Sequence, residues 1–113
     1  MGQKLESRSG FRLNTPNYIT TPSEAIVSVD YSSHLKILEL EWRNENGESK
    51  IYHYLNVRKD IYQLILELKT KIDSLSKHST KYTRDRYSIG RFISLNVRDV
   101  YDYYELIAVD EPT

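Results

Sequence analysis

From residue 25 onward apolar and polar positions alternate one for one: Ala25, Val27, Val29 and Tyr31 interleave with Ile26, Ser28 and Asp30. A period of two sends successive side chains to opposite faces, so this run predicts a strand with one face inward. Ser32, Ser33 and His34 supply a turn, after which Leu38, Leu40 and Trp42 alternate with Glu39, Glu41 and Arg43 in a second half-buried strand. On this pattern Glu39 and Glu41 belong to a solvent face. Asn44, Glu45, Asn46 and Gly47 tolerate positive φ and close a hairpin, and residues 50–57 are rich in β-formers. The connections are too short for parallel crossovers, which makes the three strands an antiparallel meander.

The period then lengthens. Ile61, Leu64, Ile65, Leu68 and Ile72 fall on one side of a 3.6-residue repeat, with Asn56 placed to cap it, and this amphipathic helix is expected to cover the sheet and run out near Asp73 and Ser74. Residues 76–86 are polar and basic without periodic apolar positions and read as an exposed loop. Ile89, Phe92, Ile93 and Val97 fit a helix over residues 88–98, although Ile93, Leu95 and Val97 also fit a strand. Residues 103–109 form a short apolar run suited to a fourth strand at an edge. Residues 1–22, with Gly2, Gly10, Pro16 and Pro22 and no sustained period, read as a flexible or loosely docked arm. The expected architecture is α+β: a three-stranded, or four-stranded, antiparallel β-meander covered by one or two helices. It occupies residues 23–109, with a basic insertion at about 70–87 and a tail at 110–113.

Composition narrows the function classes. With 113 residues, 39% hydrophobic and 28% charged, the chain can bury one core and is not of the disordered or collagenous type. It has no cysteine, hence no disulfide, thiolate metal site or Cys nucleophile, and no apolar run approaches a membrane span. A cytoplasmic address is expected, since the first residues lack the apolar core of a signal peptide. Net charge is zero but segregated: residues 69–91 hold seven bases against Asp73 and Asp85, and residues 99–113 hold five acids and no base. These stretches either neutralise each other or leave a basic patch for a partner.

Enzymatic signals are thin. His34, His53 and His78 match no zinc spacing and read as surface or interface histidines, no metal site or cofactor is called for, and the four glycines form no phosphate loop or dinucleotide fingerprint. The distinctive feature is ten tyrosines. Alternation puts Tyr52 and Tyr54 on one sheet face, where they either stack bases or pack under the helix. Ser88 and Gly90 at a helix start offer N–H groups and a hydroxyl to an anion, with Arg91 and Arg98 one and more turns on; the alternative is plain N-capping by Ser88.

Tyr52, His53 and Tyr54, followed by Val57, Ile61, Tyr62 and Leu64, resemble the middle of the KTSC domain, a short module named for its place at the C-terminus of some lysyl-tRNA synthetases and marked by a central Tyr-x-Tyr. Residues 25–31 are similar to its opening strand, and Gly47 falls where its hairpin carries Gly. Ser88, Ile89, Gly90, Arg91, Phe92 and Ile93, then Val97 and Arg98, then Tyr101, Asp102 and Tyr103 resemble its closing pattern. The likeness covers about residues 23–106. Arg58 departs from a usual Pro and Ser94 from a usual Asn, and residues 69–87 are an insertion. The resemblance implies a small non-enzymatic domain, suspected of binding RNA and often found as a stand-alone bacterial or phage protein. It joins with the residues above in one expectation: a binding module for RNA or a nucleotide, with Tyr52, Tyr54, Tyr101 and Tyr103 stacking and Arg84, Arg86, Ser88, Gly90, Arg91 and Arg98 meeting phosphate. The alternative is a protein-interaction module, such as a phage-encoded inhibitor of a bacterial defence system that binds a host protein or sequesters a signalling nucleotide in the host cytoplasm.

Overall fold

A computed structural model describes residues 2–21, 23, 25–75 and 88–108, and for Leu75 the backbone alone. The loop expected over residues 76–86, with Arg84 and Arg86, and the tail at 110–113 lie outside the described residues. The strands are β1 (Arg8–Gly10), β2 (Ile19–Thr20), β3 (Ile26–Ser32), β4 (Ile37–Arg43), β5 (Ser49–Tyr54) and β6 (Tyr103–Ala108). The helices among the described residues are α1 (Lys59–Leu75) and α2 (Ile89–Ile93), the latter continuing into a π-helical turn, Ser94–Arg98.

The architecture is α+β, and its meander β3, β4 and β5 is antiparallel throughout. Among the described residues the sheet has six strands in the order β1, β6, β5, β4, β3, β2, where the sequence led us to expect three or four. The two additional strands come from the N-terminal segment: β1 lies parallel to β6 and β2 antiparallel to β3. Being three and two residues long, they show no period, and they form because a partner edge is available. β6 therefore lies inside the sheet, between β5 and β1. Among the described residues no helix is long and apolar enough to cross a membrane.

Turn chemistry explains the hairpins. The Asn44 side-chain oxygen accepts the Asn46 and Glu48 amides at 2.9 and 3.0 Å, and Gly47 takes φ +82°, where a side chain would be strained. Asn56 also has positive φ (59°), so it turns the chain out of β5 and does not cap α1, whose first residue is Lys59. In β3 a bulge between Ile26 and Ser28 adds one residue and reverses the phase, which brings Ile26 into the core with Val29 and Tyr31 and not to the outer face its place in the alternation indicated.

The core lies between the helices and one sheet face. Ile26, Val29, Tyr31, Leu38, Leu40 and Tyr54 meet Tyr62 and Ile65 of α1 and Ile89, Ile93 and Val97 of the second helical segment. Tyr31 and Tyr62 stack at 5.4 Å, and their hydroxyls donate to the Val57 and Asn17 carbonyls, so two large rings are buried with no polar atom left over. Leu64, expected on the buried side of α1, is 44% exposed, and Tyr62 occupies the inward position. The stripe is rotated because an aromatic one position away from the aliphatic repeat finds a stacking partner in β3. Over residues 89–98 the helical alternative holds: Ile89, Ile93 and Val97 are buried at four-residue spacing, while Leu95 is 68% exposed.

Candidate functional site

Cross-strand pairing decides which side chains share a face. Leu40 pairs with Tyr52, Leu38 with Tyr54, and Tyr54 with Tyr103, so Tyr52, Tyr54 and Tyr103 rise on the helix side of the sheet, and Trp42 joins them from β4. Among the described residues the helices do not cover all of this face, and there Trp42, Tyr52, Tyr54, Tyr103 and Arg98 line a cleft of 210 Å³. Tyr103 stacks on Tyr54 at 4.9 Å and meets Tyr52 edge-on at 5.7 Å. Arg98 enters at the end of the π-helical turn.

The two tyrosines of Tyr-x-Tyr divide the alternatives between them. Tyr54 is 2% exposed and belongs to the core as well as to the cleft wall, whereas Tyr52 is only partly buried and presents ring surface. Burial pushes the Tyr54 hydroxyl far above its usual value, and the Trp42 hydrogen bond and the Arg98 charge only partly oppose this, so it stays neutral and can act as donor or acceptor.

Of the residues singled out from the sequence, Tyr52, Tyr54, Arg98 and Tyr103 come together. Tyr101 is half-buried against the core and does not line the cleft. Ser88 accepts the Arg91 amide at 3.2 Å and so caps α2, Gly90 is buried near Ala25 and Ser23, and Arg91 is exposed outside the cleft. Trp42 was missed as a site residue, although its alternation with Leu38 and Leu40 already placed it on the face of Tyr52 and Tyr54.

The opposite sheet face holds a second constellation. Asp30, Glu39, His53 and Tyr104 pair in sequence across β3, β4, β5 and β6, forming one row of polar side chains. Contrary to the expected solvent face, Glu39 is 1% exposed and His53 3%. The chain between β1 and β2 crosses over this row and seals it. Arg12 donates to Glu39 Oε2 through Nε at 3.2 Å and Nη2 at 3.1 Å, and Nη2 also reaches Ser28 at 3.2 Å. The Leu13 amide donates to Glu39 Oε1 at 3.0 Å, and Thr15 binds Asp30 through its amide at 2.9 Å and through its hydroxyl.

Burial pushes the Glu39 carboxyl up, but the hydrogen bond from His53, the Leu13 amide and the Arg12 charge outweigh it and hold the group below the ordinary carboxylate value. An ionised Glu39 only accepts, so His53 Nε2 donates to it at 2.9 Å; in a neutral ring Nδ1 then accepts from the Tyr104 hydroxyl at 3.0 Å. No buried side-chain nitrogen or oxygen among the described residues lacks a partner. Neither Glu39 nor His53 lines the cleft. Among the described residues no group of three or more His, Asp or Glu is placed to hold a metal ion. No protein-family model matches this chain, and no curated protein does either.

Proposed function

We propose that this chain is a non-catalytic binding domain of KTSC type whose cleft takes a nucleotide unit, free or within RNA. The base stacks against Tyr52 and Trp42, and the phosphate meets Arg98. The observation behind this reading is the junction of three partly buried aromatic rings with one arginine in a 210 Å³ cleft. A planar ring carrying an anion is the ligand that uses both kinds of group: base–aromatic stacking contributes about 1–3 kcal/mol per base, and guanidinium binds phosphate by two parallel hydrogen bonds. The arginine disfavours the other common guest of an aromatic cage, a quaternary ammonium. The resemblance to a synthetase-associated module points the same way.

Trp42 is the only tryptophan in the chain and lines the cleft, so its emission reports occupancy directly. Titration with nucleotides and short single-stranded RNA should quench Trp42, with affinity falling as salt rises. Tyr52→Ala should weaken binding about tenfold or more, and Arg98→Ala should also lower the salt slope by about one. Unchanged emission and unchanged Tm across such a panel would remove the reading. A stoichiometric protein partner captured from a bacterial lysate, surviving nuclease and high salt, would put the protein-interaction alternative in its place.

A further inference from the structure

Residues 2–5 lie along the chain that leads from Arg98 into β6. The Gly2 amide donates to the Asp99 carbonyl at 3.0 Å, the Gln3 amide to Asp102 Oδ1 at 2.9 Å and the Leu5 amide to the Tyr103 carbonyl at 2.7 Å, while the Gln3 carbonyl accepts the Tyr103 amide at 3.0 Å. Gly2 lies so close to Tyr101 that a Cβ there would sit 2.2 Å from its carbonyl oxygen, so only glycine permits this approach. Lys4 bridges Tyr103 in parallel register. Residues opposite one another in a parallel pair project to the same face, which for Tyr103 is the face of the cleft. The Lys4 ammonium accordingly lies over the Tyr52 ring, 6.0 Å from its centroid. That is long for a cation–π contact, and neither Lys4 nor Arg98 has a carboxylate partner within ion-pair distance among the described residues.

We propose that the docked segment of residues 2–5 completes the cleft by supplying Lys4 as a second cation, and that Lys4 and Arg98 together select a terminal phosphate monoester next to the stacked base. This rests on the nucleotide reading above and sharpens it. A nucleoside offers the cleft a ring alone, and an internal phosphodiester carries one negative charge. A terminal monoester carries about −1.5 to −2 at neutral pH and three acceptor oxygens, enough to engage two cations at once. The two are complementary: Arg98 presents a planar fork, and Lys4 a compact charge on a flexible stem that can leave the ring surface when a base covers it. The same chemistry is found on a free mononucleotide and on the phosphorylated end of an RNA.

The test uses two ligand pairs at pH 7.5, adenosine 5′-monophosphate against adenosine, and a short oligoadenylate with 5′-phosphate against the same oligomer with 5′-hydroxyl. Trp42 emission is read in the full chain and in its Lys4→Ala and Gly2→Ala variants. In the parent chain the phosphorylated member of at least one pair should bind about tenfold more tightly, and that ratio should fall towards one in both variants. A ratio confined to one pair identifies the source, free nucleotide or RNA end. Lys4→Ala leaves the backbone contacts of the segment in place and so decides the matter even where Gly2→Ala loosens it. Equal affinities within both pairs in the parent chain, or a ratio untouched by Lys4→Ala, would overturn the inference and leave stacking intact. No response to any of the four ligands would overturn the nucleotide reading as well.

Discussion

Arg12→Ala tests whether the N-terminal segment belongs to the folded unit. The guanidinium makes two hydrogen bonds to Glu39 and one to Ser28, and stands 3.6 Å from Glu41. Removing one partner of a fully buried ion pair costs about 3–5 kcal/mol, because the other charge is left without compensation. Two features reduce that figure. The Arg12 side chain is 33% exposed against 1% for Glu39, so solvent already screens one end of the pair, and Glu39 keeps its bonds from the Leu13 amide and His53. The expected loss is therefore about 2 kcal/mol, or a fall in Tm of about 8 °C for a domain of this size.

Urea unfolding followed by Trp42 emission measures the loss, and Glu39→Gln introduced into both backgrounds separates pairing from packing. If the charge pair is responsible, Glu39→Gln should cost less in the Arg12→Ala background than in the parent chain, with a coupling of at least about 1 kcal/mol. A loss below about 0.5 kcal/mol, or additive effects of the two substitutions, would refute the assignment and return residues 11–17 to the status of a loosely docked arm.

Two further outcomes follow from the same structure. Because the Glu39 pKa is depressed by folding, its contribution to stability is complete above its ordinary value of 4.5 and is lost as pH falls below that through the lower folded value. Urea midpoints should decline on the acid side of that point, and Glu39→Gln should flatten the decline. In α1, Ile65→Ala should cost about 2–5 kcal/mol, since Ile65 is fully buried, whereas Leu64→Ala on the exposed side should change stability by about 0.5 kcal/mol or less; similar costs at the two positions would mean that α1 turns a different face to the sheet.

The meander and α1 were legible because each element buries one face and leaves the other wet, which writes its period into the order of residues. β1 and β2 were not, since strands this short are specified by the edges they find. The polar row was hidden for a related reason. Leu38, Glu39, Leu40 and Glu41 have the same alternation whether the glutamates meet water or a covering segment, and only contact with Arg12 and Leu13, more than 25 residues away, tells the two apart. The cleft was half legible: spacing aligned Tyr52 with Tyr54, Arg98 stood out as a cation beyond the helix start at Ser88, and the resemblance pointed to Tyr103, but no local signal marks which part of a sheet face its helices leave open. Lys4 carried no signal at all. Its position depends on the docking of Gly2 against Tyr101, nearly the whole chain away.

The two faces meet in β5, where Tyr52, His53 and Tyr54 alternate between the cleft and the buried row. A shift of one residue in the pairing of β5 would turn every side chain of the strand over. It would carry the imidazole into the apolar core away from Glu39, and drive two phenol rings into the layer where Arg12 and Glu39 pair. Both halves of that exchange are costly, because buried polar atoms lose their partners on one side and gain none on the other. The row from Asp30 to Tyr104 thus does more than satisfy its own hydrogen bonds: it fixes the register that keeps Tyr52 and Tyr54 beside Trp42 and Tyr103. The N-terminal segment, which seals that row with Arg12 and holds Lys4 over the Tyr52 ring, bears on the aromatic site from both sides of the sheet.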